Sequence, residues 1–159
     1  MGRRPTKAAD NPFCQARIMA SRYNDRVLSK EGAAEYLGIS VSTLSDYELG
    51  VTKVIPPDMV LKMADLYNAP ELRNYYCREM CPLGGDVPVL ELEDLDRITV
   101  RAMASLRKIS ETKELLLDIT EDGVISEEER PSLKKVLRTL DEISAVTQSL
   151  KAWTQKNLQ

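Results

Sequence analysis

The run Cys81-Pro82-Leu83-Gly84-Gly85-Asp86-Val87-Pro88 sets two prolines and a Gly-Gly pair within eight residues, and no helix survives it. The chain is therefore read as two bodies on either side of a linker, residues 81–90. Their charges differ: residues 1–83 carry 11 basic and 10 acidic side chains, whereas residues 84–159 carry 11 and 15. Residues 1–30 alone hold Arg3, Arg4, Lys7, Arg17, Arg22, Arg26 and Lys30 against Asp10 and Asp25, a local excess suited to a polyanion. Overall the formal charge is −3, which excludes a histone-like protein that coats nucleic acid by charge alone. At 43% hydrophobic and only 5% aromatic, with almost no β-branched alternation, the composition is that of a globular, all-α chain. No apolar run approaches the ~18–20 residues of a membrane span, so no membrane partner is expected.

Histidine is absent altogether. That removes Ser-His-Asp and Cys-His nucleophile arrangements, His-ligated zinc and an imidazole base. No convergent set of carboxylates, lysines or cysteines replaces them, so the expectation is a protein that is not an enzyme and carries no cofactor. The start of the sequence lacks the apolar core and small-residue cleavage site of a secretory signal, and the odd set Cys14, Cys77 and Cys81 suits reduced thiols; both point to the cytoplasm.

Short, closely punctuated helices are expected before the linker. Asn11 caps the first, with Pro12 at its first position, and Ile18 and Met19 are expected to be its buried stripe. Ser29 caps a second from Lys30 to Leu37, ended by Gly38; Ser40 caps a third from Val41 to about Leu49, ended by Gly50. A fourth lies between Pro56-Pro57 and Asn68, with Met59, Val60, Met63, Ala64 and Tyr67 at helical spacing, and a fifth runs from Pro70 to about Met80. Gly32 inside the second helix suggests loose packing there, since Gly costs about 1 kcal/mol against Ala.

Two short helices joined by Gly38-Ile39-Ser40 form a helix-turn-helix. Ala34 is small where the helices cross, Gly38 turns the chain, and Ile39, Leu44 and Tyr47 pin the second helix to the core. The segment Ser29 to Gly50, with its Leu37-Gly38-Ile39-Ser40 and Glu48-x-Gly50, resembles the Cro/CI-type (XRE) helix-turn-helix family, and Met59 to Tyr67 resembles that family's fourth helix. The resemblance covers roughly residues 11–80 and implies a five-helix, lambda repressor-like DNA-binding domain. It further implies a bacterial or phage-type transcriptional regulator, by family habit a repressor, that binds double-stranded DNA with helix 41–49 in the major groove and associates with the nucleoid when bound.

Under that resemblance Val41, Ser42, Ser45 and Asp46 read base edges, while Lys30, Ser40, Thr43 and Lys53 hold phosphates. The basic arm, residues 1–10 with Arg3, Arg4 and Lys7, would add minor-groove or phosphate contacts. Glu48 matches a family glutamate that pairs with an arginine of the first helix, for which Arg22 is the nearest candidate. The reading face departs from the family in offering no Arg, Gln or Asn, so the bidentate contacts to guanine or adenine are missing. A protein-interaction adaptor that keeps this fold without reading DNA is therefore the competing class, with a metal- or redox-responsive switch as a third.

After the linker the elements lengthen. Leu92, Leu95, Ile98, Ala102, Leu106, Ile109, Leu116 and Ile119 predict one helix of roughly 28 residues. Leu133, Val136, Leu137, Leu140, Ile143, Val146, Leu150 and Trp153 predict another. A turn at Glu121-Asp122-Gly123 makes residues 91–159 a long antiparallel helical hairpin, whose apolar stripe calls for a second copy, as a homodimer, or for a partner. Residues 118–129 also fit an EF-hand loop at several positions, though Thr120 stands where Asp or Asn is usual; the plainer reading makes Ser126 and Glu129 a capping box.

Overall fold

The computed structural model describes residues 7–158. Every regular element among them is helical, and they divide into two compact units that part between Val87 and Pro88.

A 3-10 turn, Lys7–Asp10, leads into α1, Pro12–Ala20. Asn11 caps α1 by accepting from the amides of Phe13 (2.9 Å) and Cys14 (3.4 Å). Its side-chain amide also donates to the carbonyl of Tyr47 (3.1 Å), tying the start of α1 to a segment 36 residues further along the chain. The stripe expected from Ile18 and Met19 is not the buried one, for these are 48% and 50% exposed. Phe13, Ala16, Arg17 and Ala20 face inward instead, at the three- and four-residue steps that bring side chains onto one helical face. An arginine at the centre of that stripe hid it from a reading of apolar residues alone.

Helices α2, Lys30–Leu37, and α3, Val41–Leu49, follow a short 3-10 turn, Asp25–Val27. The remainder of the unit is α4, Pro57–Leu66, and α5, Glu71–Tyr75. The fifth helix is shorter than expected: beyond Tyr75 the chain widens into a π-turn, Tyr76–Met80, and Cys81 is extended. Pro82 forces that exit, because the residue before a proline is kept out of the α region. Leu44, Met63 and Leu72 lie wholly within one core with Phe13, Val27 and Tyr67.

In the second unit α6 spans Leu95–Arg107, α7 Ile109–Ile119 and α8 Arg130–Asn157. The α6–α7 arm turns back on α8 as the expected hairpin. Its first arm is not one helix of 28 residues. Lys108, at ψ −8°, breaks it, and the Lys108 amide reaches back only to Ser105 (3.2 Å). Two side-chain back-bonds flank the break: Ser105 Oγ donates to the Arg101 carbonyl (3.0 Å) and Thr112 Oγ1 to that of Lys108 (2.8 Å). The arm also begins at Leu95 rather than Leu92, and the Arg101 guanidinium holds the lead-in through Glu91 (3.0 Å) and Glu93 (2.5 Å). No helix among the described residues is long and apolar enough to cross a membrane.

Candidate nucleic-acid interface

Both ends of α2 and α3 are set by local chemistry. Ser29 Oγ accepts from the Gly32 amide (3.0 Å) and Ser40 Oγ from the Thr43 amide (3.0 Å), satisfying orphan donors of each first turn. Gly38 ends α2 at φ 72°, left-handed backbone that a side chain resists, and the Ile39 amide closes the turn on the Ala34 carbonyl (3.0 Å). Ala34 is buried at this turn, Ile39 lies half-buried against the core, and Leu44 and Tyr47 hold α3 from beneath.

Gly32 has a different purpose from the loose packing read in the sequence. A β-carbon there would lie 2.6 Å from the Arg26 carbonyl oxygen, so the glycine lets the first turn of α2 press against the preceding backbone. Gly32→Ala, ordinarily a gain in a helix, is expected to destabilise the unit by about 1–3 kcal/mol through this overlap. Urea unfolding followed by the tyrosine near-ultraviolet signal checks it. All six tyrosines precede the linker, and the single tryptophan, Trp153, follows it, so the two units report separately.

Beneath α3 the arrangement differs from the expected pairing. Glu48 is paired with Arg17 and not with Arg22, which is exposed. Arg17 Nε donates to Glu48 Oε1 (2.5 Å) and Nη2 to Oε2 (3.2 Å), while Nη1 reaches the Val27 carbonyl (3.4 Å). Position 17 lies on the buried face of α1, one helical turn beyond Phe13, and position 22 lies past the end of that helix. The fork is buried on both sides, with the Glu48 side chain at 0% and that of Arg17 at 9% exposure. The carboxylate beside it raises the Arg17 guanidinium still further above its ordinary range. Burial first, then Glu48, pushes the Cys14 thiol up, and burial pushes up the Tyr67 hydroxyl.

Above this fork lies the outer face of α3. Val41 and Ser42 are exposed at its start, and Ser45 and Asp46 are half-buried one turn on. The Ser40 and Thr43 hydroxyls share a hydrogen bond (2.8 Å) at the N-terminus of the helix. Lys30 leans from α2 across to α3, its Nζ 3.4 Å from Ser45 Oγ and 3.3 Å from Glu48 Oε2, and is only partly open to solvent. Lys53 is exposed in the loop after α3. Arg3 and Arg4 lie outside the described residues, and Lys7 is described only as backbone opening the first 3-10 turn. Two contributors escaped the reading of the sequence: Arg17, and the bridging role of Asn11 toward Tyr47.

Cys14 is buried while Cys77 is exposed, and no three Cys, Asp or Glu side chains among the described residues converge to hold an ion. In the 118–129 loop the Glu129 carboxylate accepts from the Ser126 amide and hydroxyl (2.8 Å each), the reciprocal half of a capping box, and α8 begins at Arg130.

Comparison with curated proteins and with solved structures finds no match to the chain. A family model described as a helix-turn-helix domain does match, over residues 17–74, inside the 11–80 span of the resemblance; the rest of the chain is unmatched. Domains of that family are typically non-enzymatic and DNA-binding. With the capped α2–α3 pair, its left-handed turn and the buried Arg17–Glu48 fork beneath it, residues 17–74 are a helix-turn-helix domain of the Cro/CI-like kind.

Proposed function

We propose that the protein is a sequence-specific, DNA-binding transcriptional regulator that acts as a homodimer and inserts α3 into the major groove. The observation that carries this reading is the placement of α3: capped at Ser40, held from below by Leu44, Tyr47 and Glu48, and open to solvent along Val41 and Ser42. A helix held in this way presents one face rigidly to a groove about 12 Å wide. Val41 meets a thymine methyl, Ser42 and Ser45 bond to base edges, and Asp46 accepts from the amino group of cytosine. The α3 N-terminus, with Ser40 and Thr43, together with Lys30 and Lys53, meets phosphates. Repression is the sign the family resemblance implies, exerted by occupying a site that polymerase needs. The cytoplasm, with the nucleoid as the site of action, is the compartment that follows.

The test is selection of bound duplexes from a randomised pool at two salt concentrations. A two-fold motif with half-sites about 34 Å apart, surviving the higher salt, is the expected result. Failure to enrich any motif overturns the reading in favour of an adaptor. One observation favours that second class: Leu49, Val51 and Val54 are all exposed beside α3, an apolar rim that suits a protein partner.

Lys53 is the cleaner probe of the phosphate contacts, because Lys30 also braces the buried Glu48. Lys53→Ala is expected to leave thermal stability unchanged and to lower the slope of log affinity against log salt by about 0.9, the release of one counterion. Fluorescence anisotropy of a labelled duplex across a salt series measures it.

A further inference from the structure

The seam inside the C-terminal hairpin is built largely from small and polar side chains, and larger apolar ones are left outside it. On the α6–α7 arm Ile98, Ser105, Thr112 and Ile119 are buried, spaced by one heptad each, the repeat of a coiled-coil seam. Val136, Thr139, Val146, Ser149 and Ala152 face that arm from α8. Beside the seam runs a second stripe on each arm: Leu95, Leu106, Ile109 and Leu116 on one, and Leu137, Leu140, Leu150 and Leu158 on the other. All eight are exposed, from 38% at Leu116 to 68% at Leu158. Between α6 and α8 the two stripes open onto a groove of about 650 Å³, lined by Ala102, Leu106, Ile143, Val146, Leu150 and Leu158 among others.

The other flank of the seam is charged. Lys108 pairs with Glu142 (2.8 Å) and Lys135 with Glu111, where the ammonium holds the Glu111 carboxyl below its ordinary range. Each of these four residues stands two positions from a member of the apolar stripe, about 200° round the helix. One edge of the hairpin is thus braced by ion pairs in water, and the other is an uncovered apolar face.

We infer that a second copy of the hairpin covers this face in the antiparallel sense, so that four arms close into a bundle; the inference rests on the dimeric regulator proposed above. Two arguments select that occupant and that direction. The eight stripe residues expose roughly 700 Å², which with the polar rim reaches the ~800 Å² per partner of a stable interface. Charge then sets the direction. Residues 118–129 contain Asp118, Glu121, Asp122, Glu127, Glu128 and Glu129 and no base, whereas residues 151–158 contain Lys151 and Lys156 and no acid. At the same end as those lysines, Glu91 and Glu93 are paired with Arg101, and Asp94 and Asp96 stand against Arg97, so that end is close to neutral, whereas the turn keeps an acidic excess even with Glu127 paired to Arg130 (2.7 Å). An antiparallel mate sets each acidic turn beside the near-neutral end of the other hairpin, while a parallel mate stacks the two acidic turns together.

Sedimentation of the full chain is expected to give two copies. Leu106→Glu with Leu150→Glu is expected to shift it to one copy, and Glu142→Gln, on the charged edge, to leave it at two. Because the double variant can also unfold the hairpin, direction is read independently on the stable dimer. Spin labels at Val124→Cys, in a Cys77→Ser, Cys81→Ser background, lie in the acidic turn. The antiparallel bundle separates them by roughly the length of α8, about 42 Å at 1.5 Å per residue. Parallel hairpins bring them within about 20 Å. A dimer with the short distance overturns the inference and leaves the dimeric reading intact. A chain that sediments as one copy, including one whose groove instead takes up a small apolar molecule, overturns both. A dimer with the long distance that selects no duplex supports the inference while the DNA-binding reading falls.

Discussion

Glu48→Ala is expected to lower the stability of the N-terminal unit by about 3–5 kcal/mol, because it leaves a buried guanidinium without its counter-charge. Arg17 donates twice to that carboxylate and its side chain is 9% exposed, so water cannot readily replace the lost acceptor. A domain of this size loses about 4–8 °C of midpoint for each kcal/mol, which puts the transition at least 12 °C lower. The effect belongs to one unit: the tyrosine signal should move and the Trp153 signal should not. Arg17→Ala is expected to cost about as much, since it leaves the buried Glu48 with the more distant, partly solvated Lys30 as its counter-charge. Arg17→Met with Glu48→Leu is expected to recover most of the loss, because two apolar side chains of similar volume need no partner. A cost below about 1 kcal/mol for Glu48→Ala would mean that the fork is solvated and that α3 is held by Leu44 and Tyr47 alone.

That fork marks the line between what could and could not be read from the residues. Caps and turns were legible because each is decided within a few positions: Ser29, Ser40 and Asn11 announce helix starts, and Gly38 and Gly50 announce ends. The helix-turn-helix and its boundaries follow from those signals. Partnership across the chain is a different matter. Choosing Arg22 over Arg17 amounted to choosing which side of α1 faces inward, and the apolar pair Ile18-Met19 pointed the wrong way because the true stripe has an arginine in its middle. In the hairpin, the apolar positions were visible but not their division into two stripes. Ile98 and Ile119 belong to the seam with α8, whereas Leu106 and Ile109 lie outside it, and the seam's other members are Ser105 and Thr112, which an apolar pattern passes over. Those same hydroxyl residues flank the break at Lys108. Gly32 was visible as a helix penalty, but the Arg26 carbonyl that makes it necessary lies in another element.

Asp46→Asn is expected to tighten DNA binding by roughly 5- to 30-fold, about 1–2 kcal/mol, and to change what is read. Of the four candidate readers Asp46 alone is charged, and in the proposed complex its carboxylate approaches a phosphate-lined groove on a helix whose start is otherwise neutral. In that position it gains one acceptor contact with a cytosine amino group at the cost of repulsion from the backbone. Asparagine removes the repulsion and supplies a donor beside the acceptor, the pair that matches adenine N7 and N6. Selection from a randomised pool should then show preference moving from cytosine to adenine at one position of each half-site, in both halves of a two-fold motif. Affinity that rises equally for every duplex, with no change of base, would place Asp46 against the backbone and shift the reading to Val41, Ser42 and Ser45. No change in any DNA affinity would leave α3 outside the groove, and the exposed rim of Leu49, Val51 and Val54 would then mark the surface by which the domain meets a protein.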